Sequence, residues 1–266
     1  GYSSIDLDNV KRIEFVNAGL SSVYGANAYG GIINILTKDA EEIDGLQLTA
    51  RGGSDSTWQS NALFGKSIKG LEIAAYLNHL TTDWYEGRVE QDRQTLFDRV
   101  QGTHASLAPG NMKGDLDQWD AQLTMKYKGF KFDGKYIDWD RDTPFGNQPI
   151  LNRISKEEYE QYYLTLSYAF SPMDGLDLLT TVYKNHYLTK MHWLSYPKGS
   201  LFPTSINPPT YKEAPEDLFV NWEPETARKG VEAQATYEIA DSNTVIAGAT
   251  YEEMKLYPLK AEGNHA

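Results

Sequence analysis

The sequence contains no cysteine, so disulfide scaffolds, thiolate metal sites and cysteine nucleophiles are closed to it. Histidine is sparse. His79, His104, His186, His192 and His265 are scattered, and none falls into H-x-H or H-E-x-x-H spacing. No G-x-G-x-x-G occurs, and the one G-K-S, Gly65-Lys66-Ser67, lacks the glycine five residues before it that a phosphate-cradling loop needs, since Ser60 stands there. Basic residues are outnumbered, 25 against 37 acidic ones, for a formal net charge of −12, which argues against nucleic acid as a partner. No apolar run approaches the ~18 residues of a membrane-crossing helix. That absence leaves a membrane β-barrel open, because its strands alternate and escape hydropathy plots.

What the chain has instead is alternation. Its 266 residues include 18 Tyr, 9 Phe and 6 Trp, at a mean hydropathy of −0.54. From Gly45 onward the text reads as strands. Leu46–Gly53, Trp58–Ile68 and Leu71–Trp84 come first, then Asp120–Lys128 with Phe130–Asp140. Tyr159–Phe170 with Leu176–Thr189, and Gly230–Ile239 with Thr244–Leu256, complete about nine strands. In 119–128, Trp119, Ala121, Leu123, Met125 and Tyr127 share one parity, while Asp120, Gln122, Thr124, Lys126 and Lys128 share the other. Val231, Ala233, Ala235, Tyr237 and Ile239 likewise oppose Glu232, Gln234, Thr236 and Glu238. A soluble sandwich alternates too.

Connection lengths separate the two. Turns at Lys69-Gly70, Gly129, Ser171–Gly175 and Ala240–Asn243 are tight. After a brief first loop at Ser54–Thr57, the other links are long: Tyr85–Gln118, Arg141–Glu158 and Lys190–Lys229. Tight turns at one end and long loops at the other suit an outer-membrane barrel; a compact soluble domain rarely carries several such loops. Aromatics at strand ends, among them Trp58, Trp84, Trp119 and Tyr168, suit headgroup girdles, although ordinary β-propensity also favours them.

Catalytic and metal chemistry finds little footing. Glu157-Glu158 and Glu252-Glu253 are adjacent, so on strands they point to opposite faces and cannot serve as an acid/base pair. Asp138-Trp139-Asp140-Arg141-Asp142 opens like a calcium loop and then fails, with Thr143 where glycine is needed and Pro149 where the closing glutamate belongs. That leaves at most a loose divalent-ion site on an outer loop. No nucleophile–base set, metal site or cofactor site is expected. The 190–229 loop holds Trp193, Tyr196, Phe202, Tyr211, Phe219 and Trp222, which either grip a ligand or pack on one another.

The most informative stretch is Val10–Lys38, VKRIEFVNAGLSSVYGANAYGGIINILTK. An alternating strand leads into a small-residue turn, then Tyr24-Gly25, Asn27-Ala28, Gly30-Gly31 and the strand Ile32–Thr37, interrupted only by Asn34. Glycines there permit positive φ and close backbone approach. The short isoleucine run suits a buried strand, in which the Asn34 amide needs partners. This stretch resembles the end of the plug domain of TonB-dependent outer-membrane receptors, which runs roughly V-E-V-V-R-G-P-x-S-x-L-Y-G-x-x-A-x-G-G-V-I-N-I-I-T-K. Asn17-Ala18-Gly19 stands where that family has Arg-Gly-Pro, so its plug–wall charge cluster is in question, with Lys11 and Arg12 nearby.

The resemblance implies an all-β membrane protein: a partial antiparallel transmembrane β-barrel of about nine strands with a small plug remnant. Residues 1–38 would be the C-terminal part of the plug, 39–44 a linker, and 45–266 the first part of the barrel with long extracellular loops. Tyr24, Gly25, Asn27, Gly30, Gly31 and Asn34 would be the structural plug motif. The chain would be an internal fragment of a transporter, and not an enzyme. The function implied is energised uptake of a scarce ligand (ferric siderophore, haem, cobalamin or glycan). Partners would be the TonB complex, outer-membrane lipid and a small-molecule ligand, in the outer membrane of a Gram-negative bacterium. A passive porin or surface adhesin, and a soluble all-β carbohydrate-binding module, are the rival readings.

Overall fold

A computed structural model describes residues 6–16, 31–83, 87–240 and 243–264. A 3-10 turn, Leu7–Asn9, leads into β1 (Val10–Val16), which pairs antiparallel with β2 (Ile32–Thr37) as a two-stranded ribbon. A four-residue helix, α1 (Ala40–Ile43), follows. Then come β3 (Gly45–Gly52), β4 (Trp58–Ile68) and β5 (Leu71–Thr82). The next link carries β6 (Arg88–Val89), α2 (Arg93–Gln101) and β7 (Gly110–Asn111). Four long strands come next: β8 (Leu116–Tyr127), β9 (Phe130–Asp142), β10 (Lys156–Met173) and β11 (Leu176–Tyr196). Three short ones follow, β12 (Leu201–Ile206), β13 (Pro209–Glu213) and β14 (Leu218–Glu223). The series ends in β15 (Glu225–Ala240), β16 (Asn243–Leu256) and β17 (Lys260–Gly263).

Nine of these strands form one antiparallel path, β3-β4-β5-β8-β9-β10-β11-β15-β16, and its two edges do not meet. The open barrel wall expected from the sequence is therefore present, in the expected strand order. Its tight turns have a local cause. Lys69 and Gly70 take φ of 49° and 81°, and Lys128 and Gly129 take 46° and 84°. Two positive φ values in succession match the right-handed twist of flanking strands.

Four expectations need correction. The 39–44 segment is not a plain linker. Asp39 caps α1 by accepting from the Glu41 and Glu42 N–H groups, while the Glu42 side chain returns to the Asp39 N–H, a complete capping box. The 190–229 segment is mostly strand: β11 runs on to Tyr196, β12 pairs with β13, and β14 adds to the upper part of β11. The Tyr85–Gln118 link likewise contains α2 and the β6–β7 pair. Strand Leu71–Trp84 ends at Thr82, and Trp84 lies outside the described residues.

The sheet has two unlike faces. The face carrying the 3-10 turn and α1 presents Asn61, Tyr76, Asp120 and Gln122; the opposite face presents Ala121, Leu123, Phe132 and Leu164. Along that outer face β8–β11, β15 and β16 are apolar or aromatic, Thr180 excepted, from the tight turn upward until a first charge, whereas β4 carries Lys66 close to its turn. The first charges are Asp117 on β8, Asp138 on β9, Glu160 on β10, Lys184 on β11, Lys229 on β15 and Glu253 on β16. These do not share a register row. Asp117 is level with Asp140, Glu158 and Lys190, whereas Lys184 is level with Lys229 and Glu253. The boundary thus slips six residues between Lys190 and Lys184 over the five strand steps from β8 to β16. With ~3.3 Å per residue and ~4.8 Å between strands, that slope is about 40°. Strands crossing a bilayer tilt by the same amount.

Candidate functional site

The ribbon meets the sheet through a short acidic turn. Asp6 caps the 3-10 turn by accepting from the Asp8 N–H at 3.1 Å, which leaves its other carboxylate oxygen for the wall. That oxygen accepts from the Tyr76 hydroxyl at 2.6 Å and the Asn61 amide at 3.1 Å. Asp8 receives both Arg51 guanidinium nitrogens, at 2.6 and 2.7 Å, in the bidentate geometry that favours an arginine–carboxylate pair. Arg51 and Asn61 hold the Asp8 carboxyl below the usual carboxylate range, against a smaller effect of burial. One residue on, the buried Asn9 amide donates to Gln122 at 3.1 Å, and Gln122 donates to Thr37 at 3.3 Å. A cleft of about 220 Å³ remains between turn and wall, lined in part by Asp6, Asn9, Ile35, Tyr76 and Gln122. Behind it Lys135 pairs with the buried Asp120 at 3.1 Å.

The second contact is dry. Ala40 and Ile43 of α1 bury against Leu63, Ala74 and Tyr76, the one apolar cluster on this face among the described residues. Gly65 makes the approach possible: a Cβ there would stand 2.5 Å from the Ala40 carbonyl oxygen and 2.6 Å from the Ile43 Cβ. Lys11 of β1 bonds Glu42 of α1 at 2.7 Å, which ties ribbon to helix.

Of the motif residues, Tyr24, Gly25, Asn27 and Gly30 lie outside the described residues. Gly31 takes φ of +116°, a conformation that favours glycine, directly before β2. Asn34 is exposed rather than buried, and its amide donates to Glu14, its register partner, at 3.0 Å. Ile33 is 64% exposed, so β2 is not the buried strand its isoleucines suggest: among the described residues no layer covers that side of the ribbon. Lys11 and Arg12 do not reach the wall, for Lys11 bonds within the 10–44 segment and Arg12 bonds Glu14 at 2.6 Å. The charge across the contact runs the other way, with acids on the turn and the arginine, Arg51, on the wall. Sequence reasoning missed Asp6, Asp8, Arg51, Asn61 and Tyr76. Their one legible signal is the acidic cluster Asp6-Leu7-Asp8-Asn9 set directly before a strand.

At the long-loop end the aromatics pack on one another. Trp193 meets Trp222 at 5.8 Å, His192 meets Phe219 at 4.5 Å and Tyr196 meets Phe202 at 5.9 Å. Trp193 also donates to Glu157 at 3.1 Å, and Glu157 accepts from Arg141, which lies over the Trp139 ring. Asp92 caps α2 and also accepts from the Leu151 N–H at 2.9 Å, joining the two outer links. Asp138, Asp140 and Asp142 share one face of β9, and no group able to hold a metal ion occurs among the described residues. His186 lies between Glu160 and Glu225, while His192 bonds Asn221.

No family model matches the chain. A rhizobactin receptor of Rhizobium meliloti is 37% identical over 163 residues, 61% of this chain and 20% of that receptor. A vitamin B12 transporter BtuB of Photobacterium profundum is 35% identical over 69 residues, 26% of this chain and 11% of the transporter. The likeness to TonB-dependent receptors holds. A BtuB of Vibrio cholerae is 42% identical over 53 residues, 20% of this chain and 9% of that protein. Matches to these relatives thus span a fifth of their length or less. Among solved structures, the siderophore receptor PiuA from Acinetobacter baumannii superposes with a TM-score of 0.47 at 10% identity, covering 93% of this chain and 51% of that one.

Proposed function

We propose that the chain serves TonB-dependent uptake of a scarce ligand across the outer membrane of a Gram-negative bacterium. Residues 1–38 are the end of the plug, 39–44 its capped junction, and 45–266 the first part of the barrel wall. The observation that carries this reading is the seating of Asp6–Asn9 on the polar inner face of an open, tilted-strand wall whose outer face is apolar. A passive porin needs no such seated segment. The relatives' names point to a ligand of the rhizobactin or vitamin B12 kind, within the wider class of ferric siderophores, haem, cobalamin and glycans. Tyr24, Gly25, Asn27, Gly30, Gly31 and Asn34 fill the plug motif. The TonB complex supplies the energy, and no bond in the ligand is broken.

Ligand uptake by the full-length receptor, measured in cells with and without a working TonB complex, tests the reading. Uptake only with TonB is expected. Equal uptake in both backgrounds replaces transport by passive permeation.

A further inference from the structure

One strand of the wall is notched on its outer side. Gly134 of β9 pairs with Leu123 of β8 on one flank and Leu164 of β10 on the other. The Phe132 ring and Leu164 lean over the glycine, within 3.1–3.3 Å of where a Cβ would stand, and beside them runs an apolar groove of about 510 Å³ walled by Ala121, Leu123, Phe132 and Leu164. The groove ends at Tyr136 and Tyr162, the last outward residues before the first charges on their strands. Lys184 stands next to the groove and outside its lining, level with Leu164 in register, its ammonium 5.5 Å from the centre of the Tyr162 ring.

The surroundings of Lys184 give its meaning. Nearby outward carboxylates are engaged elsewhere: Glu160 and Glu225 flank His186, Glu253 pairs with Lys229 at 3.0 Å, and Glu158 with Lys190 at 3.0 Å. Among the described residues no carboxylate pairs with Lys184. A chain of net charge −12 thus keeps an unpaired cation where apolar wall gives way to headgroup level. A cation near a membrane surface attracts anionic headgroups.

We infer that the Gly134 groove and Lys184 form a seat for a phosphate-bearing lipid of the extracellular leaflet. One acyl chain lies in the groove, and the phosphate meets the Lys184 ammonium. The aromatic rims of Tyr136 and Tyr162 fit the glycerol or sugar level between them. The inference rests on the reading of the sheet as a membrane wall, and it goes beyond general contact with lipid by naming one place and one headgroup charge.

The test uses the purified full-length receptor, titrated in mixed micelles with bis-phosphorylated lipid A, and with the same lipid dephosphorylated. Native mass spectrometry counts the lipid retained. Lys184→Gln is expected to weaken retention of the phosphorylated lipid about fivefold. The unmodified receptor should hold the dephosphorylated lipid as weakly as Lys184→Gln holds the phosphorylated one. Gly134→Leu, which fills the groove, should abolish retention, whereas Ala233→Leu, elsewhere on the outer face, should leave it unchanged. Equal retention by the unmodified receptor and Lys184→Gln, or equal loss in Ala233→Leu, overturns the seat. Heat-modifiable migration reports barrel assembly separately. Assembled barrels without lipid preference sink only the seat, while an unmodified receptor that never assembles sinks the wall itself.

Discussion

The Tyr76 hydroxyl donates to the Asp6 carboxylate at 2.6 Å, joining residues seventy positions apart. The tyrosine is buried against Ala40 and Ile43, so the same side chain serves the wet contact with its hydroxyl and the dry contact with its ring.

Tyr76→Phe separates those roles. It removes one hydrogen bond to a charged group, a loss of about 1.5–3 kcal/mol, and keeps the ring. Amide exchange of residues 6–10 in the full-length receptor should accelerate while exchange in β4 and β5 stays slow. Unchanged exchange at 6–10 would show that Tyr76 does not hold the turn.

Gly65→Val places a branched side chain where the Ala40 carbonyl lies 2.5 Å from the first added carbon. Backbone cannot swing aside as a side-chain tip can, so α1 must lift. A loss of about 1–3 kcal/mol and new protease cleavage within 39–44 are expected. Gly53→Val, on a loop, is the comparison that should leave cleavage as it was.

Asp98 orders the α2 link. Burial pushes its pKa up, but donors from the Thr103 hydroxyl at 2.6 Å, the Ser106 N–H at 2.8 Å and the Gln94 amide at 2.8 Å together hold it below the usual carboxylate range. A depressed pKa contributes stability that is full above the unfolded value and is lost as pH falls through the folded one. Exchange across 92–106, corrected for intrinsic rates, should therefore rise as pH drops below the ordinary aspartate value. Asp98→Asn should flatten that dependence, and a variant that retains it would assign the effect to another group.

Leu123 and Gln122 are neighbours with opposite fates. Leu123→Arg puts a charge on the outer face at a cost of roughly 2–4 kcal/mol at mid-membrane. Gln122→Arg disturbs the bonds to Asn9 and Thr37 but stays on the polar face. Heat-modifiable migration of the full-length receptor should show impaired assembly for the first and assembled barrel for the second. Equal tolerance would reverse the faces.

Strands and tight turns were legible in the sequence because their signals are local. Parity in 119–128 survives into a sheet with Asp120 buried on one side and Leu123 on the other, and Lys-Gly pairs mark hairpins by their own φ preference. The outer links were not legible. The 190–229 segment reads as one loop, yet its Pro203 and Pro209 lie in the small β12–β13 ladder, which belongs to no central sheet where a missing N–H would be costly. The wall contacts were illegible for another reason. No sequence pattern announces that Asn9 will meet Gln122, since that pairing exists only once the four wall strands from β3 to β8 are in register. The isoleucines of β2 misled because an apolar run signals burial only where something covers it.

The two contacts between ribbon and wall differ in how they yield. Every bond made by Asp6, Asp8 and Asn9 can be handed to a water molecule one at a time, so this end can creep along the wall without opening a void. The α1 contact cannot be eased apart in that way, because Ala40 and Ile43 must leave an apolar socket in a single step. Tension drawn along the chain from its N-terminal side would thus slide the acidic turn first and come to rest at Lys38-Asp39. The capped helix behaves as a cleat and the acidic turn as a rope running past it.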